Sequence, residues 1–551
     1  MRPAPNGRSL AVAVLASFYY NEHVKSVRET TRRESLIACA CALVLLSPLL
    51  AAFWSGGGMA DAFTTLPGDG ASSARSVLIA ATARSLGVGL LSILIAALIG
   101  IPAAWALAGR RMSAWRTALV ILPLALPAPV AVSGWVRLIA PNATSSFALQ
   151  LPGAPPGWTS EAHALLFSPL GAGCVLGLGL WPVVALNAWP GFLRARDASY
   201  EAARLYERPT RAFFRVVLPR CRGDIAAGLS LAFLLACNDF AVSSLLLVHT
   251  LPVEVHDRAA LGKNAAAASA ALPLVAVAAL FCILFRSPER HTAAPSGHNL
   301  PNGLRSGKSA MGALYAGVAL GVAVPMLACL YGVVSSGKAL SVSFDAGAAS
   351  LGLSVRLAAA AVLLACGLAA LRVLIRGDRR SQAVRIASVF LLAIPGSFLG
   401  VSILSLQIDA TSALPFLRVP LLWVALGFAL RFLYVPMRLA DEARASIDSA
   451  LIESAALLGH GRWSRAASVV LPLSMGHLTA AAALVFALAL GEVPVASILA
   501  PPGSIPATIW LFGQQHMGYD ESVFALSLLL GAATCGTIAM GAAAARWAAR
   551  Q

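Results

Sequence analysis

Twelve stretches of this chain are apolar over a length that can cross a lipid bilayer. They lie near 36–54, 79–108, 117–139, 164–191, 224–248 and 267–285, and again near 311–334, 350–375, 384–407, 419–437, 475–500 and 522–544. A helix needs about 20 apolar residues to cross the hydrocarbon core, and in lipid each backbone polar group must be paired within the protein. The pattern predicts an all-α polytopic membrane protein with about 12 transmembrane helices. Composition agrees, since 58% of the 551 residues are hydrophobic and only 12% are charged, about half the roughly 25% of soluble proteins. Pro102, Pro127, Pro182 and Pro395 fall inside these windows and mark expected kinks, which neighbouring helices tolerate by pairing the freed carbonyls.

The net charge of +17 would suggest nucleic acid in a soluble chain, but here the cations lie between the spans. One side collects Arg110, Arg111 and Arg116, a dense run from Arg194 to Arg222, the 286–308 segment, Arg372 to Arg385, Arg438 to Arg465, and Arg546 and Arg550. The other side has only Arg75, Arg258, Lys263, Lys338 and Arg418. The positive-inside rule then places both termini in the cytoplasm, so the charge calls for membrane lipid and no nucleic acid as partner. The apolar stretch Leu10–Tyr20 is too short for a span, so residues 1–35 read as a cytoplasmic head. The nine cysteines sit within or beside apolar runs without C-x-x-C spacing and read as small core residues.

A Pro/Gly/Ser-rich linker over 286–310 divides the chain into a first half, 36–285, and a second, 311–551. With an offset of 253, residues 200–246 align with 453–499 without a gap. Val216-Val217-Leu218-Pro219 falls on Val469-Val470-Leu471-Pro472, and Asp239 falls on Glu492. Shared Ala/Leu composition alone would not place a Leu-Pro pair and an intramembrane carboxylate at the same separation. Two six-span halves with both ends cytoplasmic form a parallel repeat, with a pathway expected along their interface.

The loop over 440–472 contains ESAALLGHGRWSRAASVVLP, from Glu453 to Pro472. It resembles the EAA loop of ABC-importer permeases, E-A-A-x-x-x-G-x9-[I/V]-x-L-P, with Glu453, Ala455, Gly459, Val469, Leu471 and Pro472 in place and Ser454 at the first alanine. A docking helix needs small residues where backbones approach, which suits Ala455 and Ala456, and Gly459 suits the left-handed turn that ends such a helix. The Leu471-Pro472 pair marks the return to the membrane. The earlier loop, 193–222, carries a degenerate copy: Glu201, Ala202, Ala203 and Pro219 recur, but Glu201 is one position late and Tyr206 occupies the glycine place.

The resemblance implies a permease subunit of a binding-protein-dependent importer in a bacterial inner membrane, fused so that one chain supplies both halves. It implies two copies of a cytoplasmic ABC ATPase on the two loops and an extracytoplasmic solute-binding protein. Residues 489–510 and 236–255 resemble the iron(III), thiamine and 2-aminoethylphosphonate branch, and the APPG…P…IW run most resembles the iron(III) members. An ion-coupled secondary carrier would also favour a twofold repeat but has no reason to carry an EAA loop. The chain itself would be no enzyme and bind no cofactor, ATP and magnesium belonging to the partner ATPase. Gly303-Leu-Arg-Ser-Gly307-Lys308-Ser309 imitates a phosphate loop, but has three residues between its glycines where Walker A needs four. Catalytic and metal-binding constellations are absent from the sequence.

Asp239 and Glu492 lie within their apolar windows, where a carboxylate is costly and faces a pathway or partner. Gate or packing hydrogen bonds are the reading taken for both, with ligation of a cationic or ferric substrate as the alternative. Arg431 reads as a side chain snorkelling to the interface. His249, His256 and His516 read as surface histidines of outer loops, with metal capture as the alternative.

Overall fold

The computed structural model describes residues 69–109, 114–139, 158–195, 198–284, 308–336, 341–374, 380–413, 418–518 and 521–548. The head, the 36–54 window, most of the 286–310 linker and most of the Gly303–Ser309 segment lie outside the described residues. The first half runs α1 (Asp69–Ala108), α2 (Ala114–Ala125), α3 (Ala128–Ile139), α4 (Trp158–Leu166), α5 (Pro169–Ala195), α6 (Ala198–Tyr206), α7 (Arg222–Cys237), α8 (Ala241–Leu245), α9 (Leu251–Ala260) and α10 (Asn264–Leu284). The second runs α11 (Lys308–Val318), α12 (Val324–Ser336), α13 (Ser341–Leu374), α14 (Arg380–Ala393), α15 (Gly396–Ala413), α16 (Pro420–Phe432), α17 (Tyr434–Ser446), α18 (Ser449–Leu457), α19 (Leu471–Leu490), α20 (Pro494–Leu499), α21 (Ala507–Met517) and α22 (Glu521–Ala548). The protein is an all-α polytopic membrane protein.

Among the described residues seven helices are long and apolar enough to cross a membrane, or ten if each of three bent pairs is one span. Of the twelve expected windows, 36–54 is not described, and 224–248 is interrupted because α7 stops at Cys237 after 16 residues. The bends have causes. Proline lacks an amide hydrogen and its ring crowds the preceding turn, and the chain turns by 76° between α2 and α3 at Pro127 and by 112° between α14 and α15 at Pro395. Helices α1 and α5 run on through Pro102 and Pro182 without a break.

The halves are interlaced. Helix α22 of the second half packs on α2 and α3 of the first, and α10 of the first packs on α14 and α15 of the second. The α11–α12 span lies against α1 and α3. One large buried cluster joins Phe398, Phe428 and Val495 of the second half to Leu126, Val130, Leu234 and Val255 of the first. In lipid such contacts hold through close packing and hydrogen bonds, because the tails are as apolar as the side chains.

Candidate functional site: two docking loops and the seam between halves

The two loops share an order of elements. A turn of helix at Pro209–Ala212 and a π-helical segment at Phe213–Val217 precede α7, and the same pair stands before α19 at Arg462–Arg465 and Ala466–Val470, each 253 residues on. Pro219 and Pro472 occupy the first turn of the helix after each π segment, where a missing amide hydrogen costs nothing.

Helix α18 opens on Asp448, whose carboxylate accepts from the Ala450 amide at 3.0 Å, and ends on Gly459 at φ +81°. The Gly459 amide donates to the Ala456 carbonyl at 3.0 Å and the His460 amide to the Ala455 carbonyl at 3.1 Å. These paired bonds satisfy the last carbonyls of the helix in a left-handed cap that glycine adopts without strain. Helix α6 stops differently. Arg208 is extended ahead of Pro209, and Glu207 is gripped by Arg215 at 2.8 Å.

This difference alters the alignment of the two copies. Tyr200 and Ile452 turn inward, as do Ala203 and Ala455, while Glu201 and Glu453 face out, so within the helices the offset is 252. The glycine turn takes one more residue than the Arg208-Pro209 stop. Ala455 is turned toward the bundle, only 9% exposed, so of the pair expected to admit a partner only Ala456 faces outward; Ala202 is its exposed neighbour in kind on α6. Beyond them Leu205, Tyr206, Leu457 and Leu458 stand out, at 81%, 90%, 90% and 79% exposure. The first loop rests on an aromatic base, with Trp105 edge-on to Phe192, Tyr200 and Phe213 at 5.0–5.7 Å. The second rests on an aliphatic one, where Ile452 and Leu471 pack on Val373, Ile447 and Val470.

At the opposite ends of α7 and α19 the chain breaks. Asp239 Oδ2 accepts from the amides of Val242 at 2.8 Å and Ser243 at 3.3 Å, and Glu492 Oε1 accepts from Val495 at 3.3 Å. Each carboxylate caps the short helix after the break, α8 or α20, at the same 253-residue separation. Ser85 and Ser354 likewise accept from Leu251 and Ala507, each at 2.8 Å, capping α9 and α21.

Two polar residues central to the seam were misread or passed over in the sequence. Arg431 does not snorkel: it is 8% exposed and donates to the carbonyl of Ile394, and to that of Leu392 at 3.4 Å. Asn238, from the other half, donates to the intervening Ala393 carbonyl at 2.6 Å. Three consecutive carbonyls freed by the α14–α15 break are thus paired from both halves. The counterpart of Asn238 is Gly491, where a Cβ would meet Pro127 at 3.2–3.3 Å. The Arg431 charge also acts on both Glu492 and Asp239.

At the end of the seam where these breaks lie, Phe240, Ala241, Val253 and Val493 form a buried apolar plug with Ala128, Ile509 and Phe512 packed on it. His256 and His516 lie on helices α9 and α21 and not in loops; His256 is half-buried, while His516 is exposed at the end of its helix as expected. His256 stacks on Phe240 at 4.2 Å and His516 lies by Phe512 at 4.5 Å. His249 alone sits in a loop, paired with Glu254 at 2.8 Å. Among the described residues no three His, Cys, Asp or Glu side chains converge as metal ligands.

The second-half elements of this arrangement, from the later part of α13 through the break and the α18 loop to nearly the end of α22, are covered by one stretch matched by a known family. Residues 360–546 match the family described as the binding-protein-dependent transport system inner membrane component, and that match supports a permease of an ABC importer.

Proposed function

We propose that the chain is a fused permease carrying both halves of the translocation pathway of an ABC importer in a bacterial inner membrane, with both termini cytoplasmic. A cytoplasmic ATPase, in two copies, docks on α6 and α18, binds ATP and magnesium, and drives transport. An extracytoplasmic binding protein delivers solute to the seam. The observation that carries this reading is the pair of solvent-facing apolar knobs, Leu205–Tyr206 and Leu457–Leu458, on two short helices that stand before equivalent π segments. Such exposed apolar pairs on otherwise polar loops mark a protein contact. The repeated elements at a separation of 253 support two homologous halves. Ferric iron is the substrate favoured, on the resemblance of 489–510, with Asp239 and Glu492 serving as helix caps beside the pathway.

The test is reconstitution with the cognate ATPase. The chain alone should hydrolyse no ATP above background, and Lys308→Ala should leave coupled transport intact. Replacing Leu457 and Leu458 by Ala should weaken ATPase binding about tenfold or more, in line with loss of well-packed apolar anchors. ATPase binding unchanged by that double substitution would refute docking at α18.

A further inference from the structure

The plug at the seam is flanked by two histidine–serine contacts that run in opposite directions between the halves. His256, on α9 of the first half, places Nε2 3.0 Å from Ser497 Oγ on α20 of the second. His516, on α21 of the second half, places Nε2 3.4 Å from Ser244 Oγ on α8 of the first. Ser244 and Ser497 are themselves 253 residues apart, whereas the two histidines are 260 apart, so the serines occupy matching positions and the histidines reach them from different turns of their helices. Between them the rings run His256, Phe240, Phe512, His516, with Phe240 and Phe512 5.4 Å apart.

We propose that His256 and His516 form a reciprocal latch that holds the outer end of the seam shut, and that acid on the extracytoplasmic side releases it. The proposal rests on the permease reading for its purpose, though not for its chemistry. The Ser497 hydroxyl donates to the Pro494 carbonyl at 3.0 Å, so it receives the Nε2–H of His256. That leaves Nδ1 of the neutral ring bare, 3.7 Å from Asp257 Oδ1. A second proton on Nδ1 makes an imidazolium whose natural partner is Asp257 on its own helix, drawing the ring away from Ser497. His516 holds its Nδ1 proton on the Phe512 carbonyl at 2.9 Å, so its Nε2 receives the Ser244 hydroxyl. Protonation there reverses that bond and sets a second cation across the seam from the first.

The surrounding charges leave this balance to the pair. On α9, Glu254 is occupied by His249 and by Arg258 at 2.7 Å. Of the helices packed on α9, α1 carries Arg84, which donates to the His249 carbonyl, α15 carries Asp409, and α10 and α20 carry no charged residue, Glu492 standing just before α20. Those packed on α21 carry Arg137 on α3, Arg356 and Arg372 on α13, and Glu521 and Arg546 on α22, with Asp239 just before α8. Asp257 and His516 are the groups that act on His256. Burial holds its pKa below the ordinary histidine value, and the His516 charge adds to that while Asp257 opposes it. In the open seam the ring is hydrated and its pKa returns toward 6.5. The open form therefore takes up more protons, and closure is favoured above that value and lost as pH falls below it.

Spin labels on cysteines replacing Leu261 and Met517, both exposed tips of the outer surface, report the opening of the full chain in nanodiscs, in a background lacking the native cysteines. The expected result is a single short-distance population at about pH 7.5 and a longer one growing about tenfold by about pH 5.5. H256Q/H516Q should keep the short distance at both pH values. S244A/S497A, which removes the partners but keeps both rings, should loosen the seam at neutral pH and still respond to acid. A distance distribution that ignores pH in the parent, or moves equally in H256Q/H516Q, overturns the latch. No ATPase takes part in this measurement, so a chain that opens with acid yet never couples to an ATPase keeps the latch and loses the permease reading.

Discussion

Gly459 shows what one position decides. Its φ of +81° closes α18 and aims Leu457 and Leu458 outward, whereas Tyr206 ends α6 without any left-handed residue because Pro209 stops that helix. Gly459→Val therefore forces a β-branched residue into a region that costs about 1 kcal/mol or more, and the turn opens. We expect Gly459→Val to uncouple ATPase activity from transport and Tyr206→Ala to be milder, measured as substrate-stimulated ATPase and uptake at equal membrane abundance. A worse defect in Tyr206→Ala would reverse that ranking. The glycine turn was legible in the sequence, since few residues other than glycine follow a helix in that conformation. The direction of Ala455 was not, because which side of a nine-residue helix meets the bundle depends in part on α13, whose Ala369 and Val373 share the cluster under Ile452 from far earlier in the chain. Arg431 was misread for the same reason: the carbonyls it serves are 37 and 39 residues away.

Among the elements, the broken span α14–α15 depends most on outside help. Its hydropathy gave its existence, and Pro395 its weak point. Yet Pro102 and Pro182 sit in equally apolar windows and interrupt nothing, so proline marks where a helix can break and the neighbouring donors decide whether it does. At Pro395 those donors are Arg431 and Asn238. Arg431→Met should leave two buried carbonyls unpaired and two carboxylates without their cation, a loss of about 3 kcal/mol or more, seen as a lowered thermal unfolding midpoint in detergent. Asp239→Asn should cost less than about 1 kcal/mol, since asparagine caps a helix nearly as well as aspartate. If Asp239→Asn is the more damaging of the two, its charge serves the transported solute more than the cap.

For the whole molecule, interlacing ties the halves together, and the orientation proposed from the cation count is open to a direct test. Single cysteines at Ser160 and Gly518 should react with an impermeant maleimide from outside, and those at Ser306 and His460 only after permeabilisation; outside labelling at Ser306 would overturn the arrangement of spans. That the chain spans a membrane many times was readable because lipid imposes a length on every crossing, but the expected twelve compares with seven to ten spans among the described residues, since apolar windows do not show where a helix breaks. The pairing of each half's last helix with the other half's broken span was not, because it is set by contacts between segments more than a hundred residues apart. Arg431 has a last consequence. In a channel built from two identical subunits every residue occurs an even number of times, so a lone cation near the axis is impossible. Two unequal halves on one polypeptide remove that parity rule, and a single guanidinium can act on two carboxylates, a one-to-two set that no homodimer could build on its axis.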